Sequence, residues 1–211
     1  MINEPNPAGI DALNVTFGCL FEYTKATDVN TIVSLVESME KDGSISFHRP
    51  PKVEEARQNE YIVLNDAFLN TGEAAKKVYI LIAEAFNRCV THYKNWIEIK
   101  ESLYPETFVL VRYLPNDKYD IHYDGSTQSF RSVSSVMYLN DGYEGGELDF
   151  PLQFHTYYPQ AGSVLVFPSN YAFEHIANPV KTGVKYAVLA FYHDYDSSIR
   201  KDHLENFRVI K

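Results

Sequence analysis

The sequence predicts a mainly β fold with supporting α structure: a double-stranded β-helix (jelly roll) packed on N-terminal helices. Three observations predict it. From about residue 106 onward the helical period of apolar residues gives way to short runs separated by Pro, Gly and Asn turns. Before that point, two segments carry apolar stripes at helical spacing, which suits them to cover one face of a sheet. Finally, 211 residues with 45% hydrophobic and 14% aromatic content suffice for one globular core. The expected organisation is a single domain over 1–211. Within it, 1–105 give helical support and a flexible segment, 106–195 the jelly-roll core and 196–211 a C-terminal tail.

Taken in order, NVTFGCLFEY (14–23) reads as a strand. Residues 28–42 read as a helix opened by Asp28 or Asn30 and closed by Gly43, with Ile32, Val33, Leu35, Val36 and Met39 as its apolar stripe. The stretch 43–61 is expected to be irregular, because Pro50 and Pro51 interrupt it. A long helix over about 72–96 follows, with Val78, Ile82, Ala85, Phe86, Cys89 and Val90 on the side that packs on the barrel. Strands are expected at FVLVRYL (108–114), SVSSVMYLN (132–140) and SVLVFP (163–168). Gly145-Gly146 reads either as a bend between sheets or as a flexible loop facing a substrate.

The chemistry concentrates in His122-Tyr123-Asp124. In an extended segment residues i and i+2 share a face, so His122 and Asp124 point the same way. With His175, which follows the 163–168 strand, they would form a face of two imidazoles and one carboxylate. That face leaves three adjacent coordination positions open, which suits non-heme Fe(II) binding a cosubstrate and O2. The pair alone is weak, since seven histidines would give roughly 0.4 His-x-Asp pairs by chance. Context separates it from His203-x-Glu205, which lies in the charged stretch RKDHLENFR and reads as a solvated helical turn.

From RYLPNDKYDIHYD (112–124) through VSSVMYLND (133–141), YEGGELDFP (143–151), AGSVLVFP (161–168) and EHIANPVKTGVKYAVLAFYHD (174–194), the chain resembles the prolyl 4-hydroxylase branch of the Fe(II)/2-oxoglutarate dioxygenases. The resemblance covers about 108–194 and implies His122, Asp124 and His175 as the metal ligands and catalytic centre. Lys185, ten residues after His175, matches the basic residue that pairs with the far carboxylate of 2-oxoglutarate. Tyr138 and Tyr113 match tyrosines of the cosubstrate pocket; the other reading of each is an ordinary barrel aromatic. Tyr119 and Arg131 match residues lining a peptide groove, against a loop aromatic and a surface ion pair. The implied reaction hydroxylates a C–H bond with succinate and CO2 as coproducts. It needs Fe(II), 2-oxoglutarate and O2, with ascorbate as a candidate reductant.

The formal net charge of −9 argues against nucleic acid as the main partner, since phosphate binding needs clustered Lys and Arg. No GxxxxGK[ST], GxGxxG or zinc-knuckle spacing competes. Cys19 and Cys89 read as thiols, with one bridge as the alternative. MINEPNPAGIDALN lacks the basic and apolar regions of a secretory signal, and no apolar run approaches a membrane span. A reducing cytoplasm is the expected compartment, and no membrane partner is expected. Three functions follow: a peptidyl hydroxylase acting on proline in a protein or peptide, with 43–61 folding over the substrate; a hydroxylase of a small molecule such as a free amino acid; and a non-catalytic jelly-roll binding module. Neither the substrate nor the oligomeric state can be read from the chain.

Overall fold

Pleating divides the molecule into two cores. The computed structural model describes residues 12–50, 56–125 and 130–194. Its larger sheet runs in the order Ala12–Thr16, Leu20–Thr24, Val164–Pro168, Val133–Tyr138, Lys185–His193, Val109–Tyr113, Glu60–Val63, and Tyr104–Pro105 pairs with the end of the long Lys185–His193 strand. The smaller sheet runs His155–Tyr157, Leu148–Phe150, His175–Ala177, Lys118–His122, Arg57–Gln58. All strand pairs are antiparallel, as the expected double-stranded β-helix requires.

Along the larger sheet, side chains alternate between two surroundings. Leu110, Met137, Val164, Val166 and Val188 face the helices. Val111, Val136, Leu165 and Ala187 face the smaller sheet, where they meet Leu148, Phe150 and Ala177. Both faces are therefore covered, and Val133–Tyr138 is buried along its whole length. Such a strand reads as a continuous run, without the apolar–polar alternation of a half-exposed one.

Helix α1 (Val29–Lys41) starts where expected, because the Asp28 side chain accepts a hydrogen bond from the Thr31 amide at 3.1 Å. Between it and the long helix lies a short α2 (Asp66–Leu69), which was not expected; four residues are too few to show a period. Helix α3 (Glu73–Trp96) lays Ala75, Val78, Ile82, Ala85, Phe86, Cys89, Val90 and Tyr93 against the larger sheet. Helix α1 is tied to the sheet edge by Arg112, which reaches Glu40 at 2.7 Å and Glu60 at 2.7 Å while lying 4.0 Å over the Phe47 ring.

Two expectations change. The 14–23 strand is a hairpin, Ala12–Thr16 against Leu20–Thr24, because Phe17 and Gly18 adopt φ of 55° and 70° and reverse the chain. The 43–61 stretch is less irregular than its prolines suggest: His48 bridges Tyr61, Arg57–Gln58 adds to the smaller sheet, and Glu60–Val63 forms the edge of the larger one. Residues 51–55 of it lie outside the described residues, as do the His203-x-Glu205 stretch and the N-terminal eleven residues. The 163–168 and 132–140 strands and the two main helices stand within one or two residues of their expected limits. Gly145 and Gly146 form a bend at φ of 77° and 68°, with Glu144–Gly145 paired to Val180–Thr182. Cys19 and Cys89 are both free thiols. Among the described residues no helix is long and apolar enough to cross a membrane.

Phe86 is fully buried on α3 with its ring 5.4 Å from that of Phe108, at the seam between helix and sheet. Phe86→Ala is expected to destabilise the protein by about 3–5 kcal/mol, measured by urea unfolding. A loss under 1 kcal/mol would show that the helix layer does not hold the sheet.

Candidate active site

A cavity of about 370 Å³ opens between the two sheets, and all eight residues singled out from the sequence line it. His122 ends the Lys118–His122 strand, and His175 begins the neighbouring His175–Ala177 strand. The two are direct partners in the antiparallel register, which sets their rings 4.4 Å apart. Asp124 follows two residues after His122. The chain beyond it is clamped by Gly125, whose amide donates to the Ser169 carbonyl at 2.7 Å. A Cβ at Gly125 would sit 2.8 Å from that carbonyl and 2.9 Å from the Arg131 carbonyl, so no other residue fits without a shift.

The three side chains bring one ligand atom each to within 4.8 Å of one another. Hydrogen bonds set their chemistry. His122 Nδ1 is 2.7 Å from the Asp120 carbonyl and His175 Nδ1 is 3.0 Å from the Phe173 carbonyl. A carbonyl only accepts, so each Nδ1 carries the proton and each Nε2 keeps its lone pair. Those Nε2 atoms lie 3.6 and 3.8 Å from the Asp124 carboxylate oxygens. Burial, reinforced by His175, pushes the His122 pKa down to about 4, against a smaller upward pull from Asp124. The ring is neutral at pH 7, as a metal ligand must be. Donor set, tautomers and protonation therefore fit a divalent ion with an open face.

Supports behind the ligands were not visible in the sequence reading. Ser134 Oγ donates to Asp124 Oδ2 at 2.6 Å, and Ser169 Oγ lies 2.7 Å from Ser134 Oγ. Since the Ser134 proton goes to the carboxylate, Ser169 donates to Ser134. The signal was present as Ser134-Ser135 inside an otherwise apolar strand, where a buried hydroxyl needs a partner. The Tyr119 ring stacks on His122, centroids 3.6 Å apart and planes 17° apart, and Phe150 and Phe167 flank His175.

Deeper in the cavity, Lys185 is only 3% exposed. Its Nζ donates to the Gly146 carbonyl at 2.6 Å and lies 5.3 and 5.1 Å from the ring centroids of Tyr113 and Tyr138. Burial lowers its pKa to about 7, with Glu147 pulling the other way. The Tyr138 hydroxyl is buried and has no hydrogen-bond partner among the described residues. An orphan hydroxyl of this kind costs about 1–3 kcal/mol, and a bound anion beside the ammonium would satisfy both groups. Arg112, the next strand residue before Tyr113, points to the opposite face and is spent on Glu40 and Glu60.

At the mouth, the Arg131 Nε and Nη2 atoms hold Glu106 at 3.0 and 2.8 Å, and the guanidinium lies 3.6 Å over Phe191. Glu106 also meets His193 Nε2 at 2.8 Å. Across the opening stand Arg57 and Tyr61, which the sequence reading left inside an irregular segment.

Residues 108–193 match the 2OG-Fe(II) oxygenase superfamily model. No match to a curated protein was found at the sequence level. The fold is similar to that of a viral collagen prolyl hydroxylase from Paramecium bursaria Chlorella virus-1, at TM-score 0.59 and 21% identity over 82% of this chain and 94% of that one. It is also similar to a prolyl hydroxylase from Trichoplax adhaerens in complex with a hypoxia inducible factor peptide fragment, at TM-score 0.65 and 18% identity over 84% of each chain. A Pseudomonas putida prolyl-4-hydroxylase gives TM-score 0.62 and 17% identity over 85% of this chain and 95% of that one.

Ser134→Ala removes the hydrogen bond that orients Asp124 while adding no bulk. Affinity for a divalent metal is expected to fall about 10- to 100-fold, read by competition titration with a fluorescent chelator. Unchanged affinity would show that the carboxylate holds its position unaided.

Proposed function

We propose that the chain, whose residues 108–193 match the 2OG-Fe(II) oxygenase superfamily model, is such an oxygenase and hydroxylates a prolyl residue in a protein or peptide. The observation that carries the reading is the pairing, in one cavity, of an open His122–Asp124–His175 face with a buried ammonium, Lys185, that has no carboxylate partner among the described residues. A non-catalytic binding module has no use for that combination.

In this reading His122 and His175 through Nε2, and Asp124 through a carboxylate oxygen, hold Fe(II). When bound with 2-oxoglutarate and O2, the iron supplies the oxidising power for C–H hydroxylation, with succinate and CO2 as coproducts. The chain does the rest by position. Lys185 and the Tyr138 hydroxyl bind the far carboxylate of 2-oxoglutarate, with Tyr113 walling the same end. Ser134 and Ser169 fix the carboxylate of Asp124. Val111, Val136, Leu148 and Ala187 line the interior with apolar surface and exclude water. Ascorbate is the proposed reductant, and free thiols at Cys19 and Cys89 accord with the reducing cytoplasm as the proposed compartment.

Two features favour a peptide over a small molecule. The cavity runs out to a mouth walled by Tyr119, Arg131 and the Arg57–Val63 edge, which gives room for residues flanking a target. The structural neighbours include a prolyl hydroxylase holding a peptide fragment. Peptides containing proline are expected to be hydroxylated far better than free proline, since contacts away from the reacting carbon position it. Mass spectrometry for a gain of one oxygen decides, and equal turnover of free proline would favour the free-amino-acid reading.

The cosubstrate site carries a pH signature. Burial holds the pKa of free Lys185 at about 7, and a bound carboxylate raises it, so binding takes up a proton. Affinity for 2-oxoglutarate should be level below pH 7 and weaken by up to about tenfold per unit above it. Calorimetry in buffers of different ionisation enthalpy reads the proton directly, and affinity constant from pH 6 to 9 would exclude the assignment. Lys185→Ala should weaken 2-oxoglutarate binding by about 2–5 kcal/mol and leave metal affinity nearly unchanged.

A further inference from the structure

Arg57 is the mouth cation that the site described so far does not use. It lies on the short strand Arg57–Gln58, and two residues later the chain crosses from the smaller sheet to the larger one. That crossing passes through Asn59, which is fully buried. Arg57 Nε donates to Asn59 Oδ1 at 3.2 Å, so the guanidinium is anchored by a fully buried side chain. Its Cζ is 5.7 Å from the Tyr61 ring centroid and 5.5 Å from that of Tyr119, the ring stacked on His122. The charge is thus held in the cavity wall, one aromatic ring away from the ligand face.

Of the two arginines that line the cavity, Arg131 has a carboxylate partner and Arg57 has none among the described residues. Arg49 pairs with Asp117, Arg112 with Glu40 and Glu60, and Arg131 with Glu106. Among the described residues Arg57 pairs with none. A part-buried guanidinium near two aromatic rings and anchored through Nε leaves its Nη atoms to take a carboxylate in bidentate fashion. An acidic ligand would otherwise be repelled by the net charge of −9.

We infer that Arg57 reads a carboxylate on the substrate, so that the preferred substrates are acidic peptides in which an Asp or Glu neighbours the target proline. The inference rests on the proposed prolyl hydroxylation and adds the substrate class to it. The same chemistry could come from a terminal carboxylate, and the test separates the two sources.

Acetylated, amidated peptides with a single proline are prepared carrying Glu, Gln or Lys at one neighbouring position at a time. Turnover is followed as gain of one oxygen in the presence of Fe(II) and 2-oxoglutarate, and binding by anisotropy of fluorescein-labelled copies. The ratio of kcat/KM for Glu over Gln is expected to reach roughly tenfold or more at one position. In Arg57→Gln that ratio should fall to near one, and in Arg57→Glu the Lys peptide should become the better substrate. Each ratio compares two peptides on one sample, so partial unfolding of a variant does not move it. Peptides ending in proline with a free carboxylate form the second arm, and a preference for them over their amides would assign the carboxylate to a chain end. Equal Glu and Gln ratios in the wild type, or a preference that survives in Arg57→Gln, would overturn the inference. If no peptide were oxidised, the hydroxylase reading would fail, while the anisotropy ratios would still decide whether Arg57 reads a carboxylate.

Discussion

The site depends on one antiparallel contact, the pairing of His122 with His175 across the smaller sheet. Side chains alternate along a strand, so slipping this register by one residue would turn an imidazole out of the sandwich. The register is held from both sides. Leu148–Phe150 pairs with the His175 strand, and Arg57–Gln58 pairs with the His122 strand. Phe150 and Phe167 close the space around the His175 ring. Asp124 lies just past the end of its strand, outside the ladder, and can therefore face both Nε2 atoms at once.

The larger sheet supplies the second half of the site by the same rule. Tyr113, Tyr138, Lys185 and Ser134 are contributed by three adjacent strands and all project to the inner face, while their sequence neighbours Arg112, Met137 and Tyr186 face outward. Covering the outer face with α1 and α3 is what allows this sheet to be buried throughout. A rigid double-covered sheet can hold a lysine in a dry wall, where a surface lysine would simply reach for water. The Gly145-Gly146 bend completes the arrangement by presenting the Gly146 carbonyl to Nζ. A Cβ on Gly146 would come within 3.1 Å of the Lys185 Cδ.

Period and spacing made the helices, the main strands and the ligand triad legible, because each is a repeated or local signal. The hairpin hidden in 14–23 was missed because an apolar run does not announce a reversal; only Gly18 marked it. The edge strands inside 43–61 are short, and their pairing is fixed by partners some fifty residues away or more, which no local pattern encodes. Supporting residues were legible only in part, for a related reason. Ser134, Ser169, Glu106 and Arg57 take their roles from what they touch, and partners such as Asp124 for Ser134, Arg131 for Glu106 and Tyr119 for Arg57 are not adjacent in the chain. Arg131 shows the same limit in reverse: it does line the cavity, yet its ion pair with Glu106 could only be seen once the pairing of Tyr104–Pro105 with the end of the Lys185–His193 strand had brought 106 beside it.

In the proposed function, charge placement reconciles an acidic chain with an anionic cosubstrate. A net charge of −9 acts over the whole surface and is screened within about 8–10 Å at physiological salt. The Lys185 ammonium acts from inside a wall where screening is weak, so at short range it outweighs the more distant acids. Burial favours the neutral amine in the free protein, and a bound carboxylate would favour the protonated one. The Tyr138 hydroxyl, buried without a partner among the described residues, would follow the same logic. In that reading the burial of Lys185 and the unpartnered Tyr138 hydroxyl both favour the liganded form over the free one, and both act at the same end of the cavity.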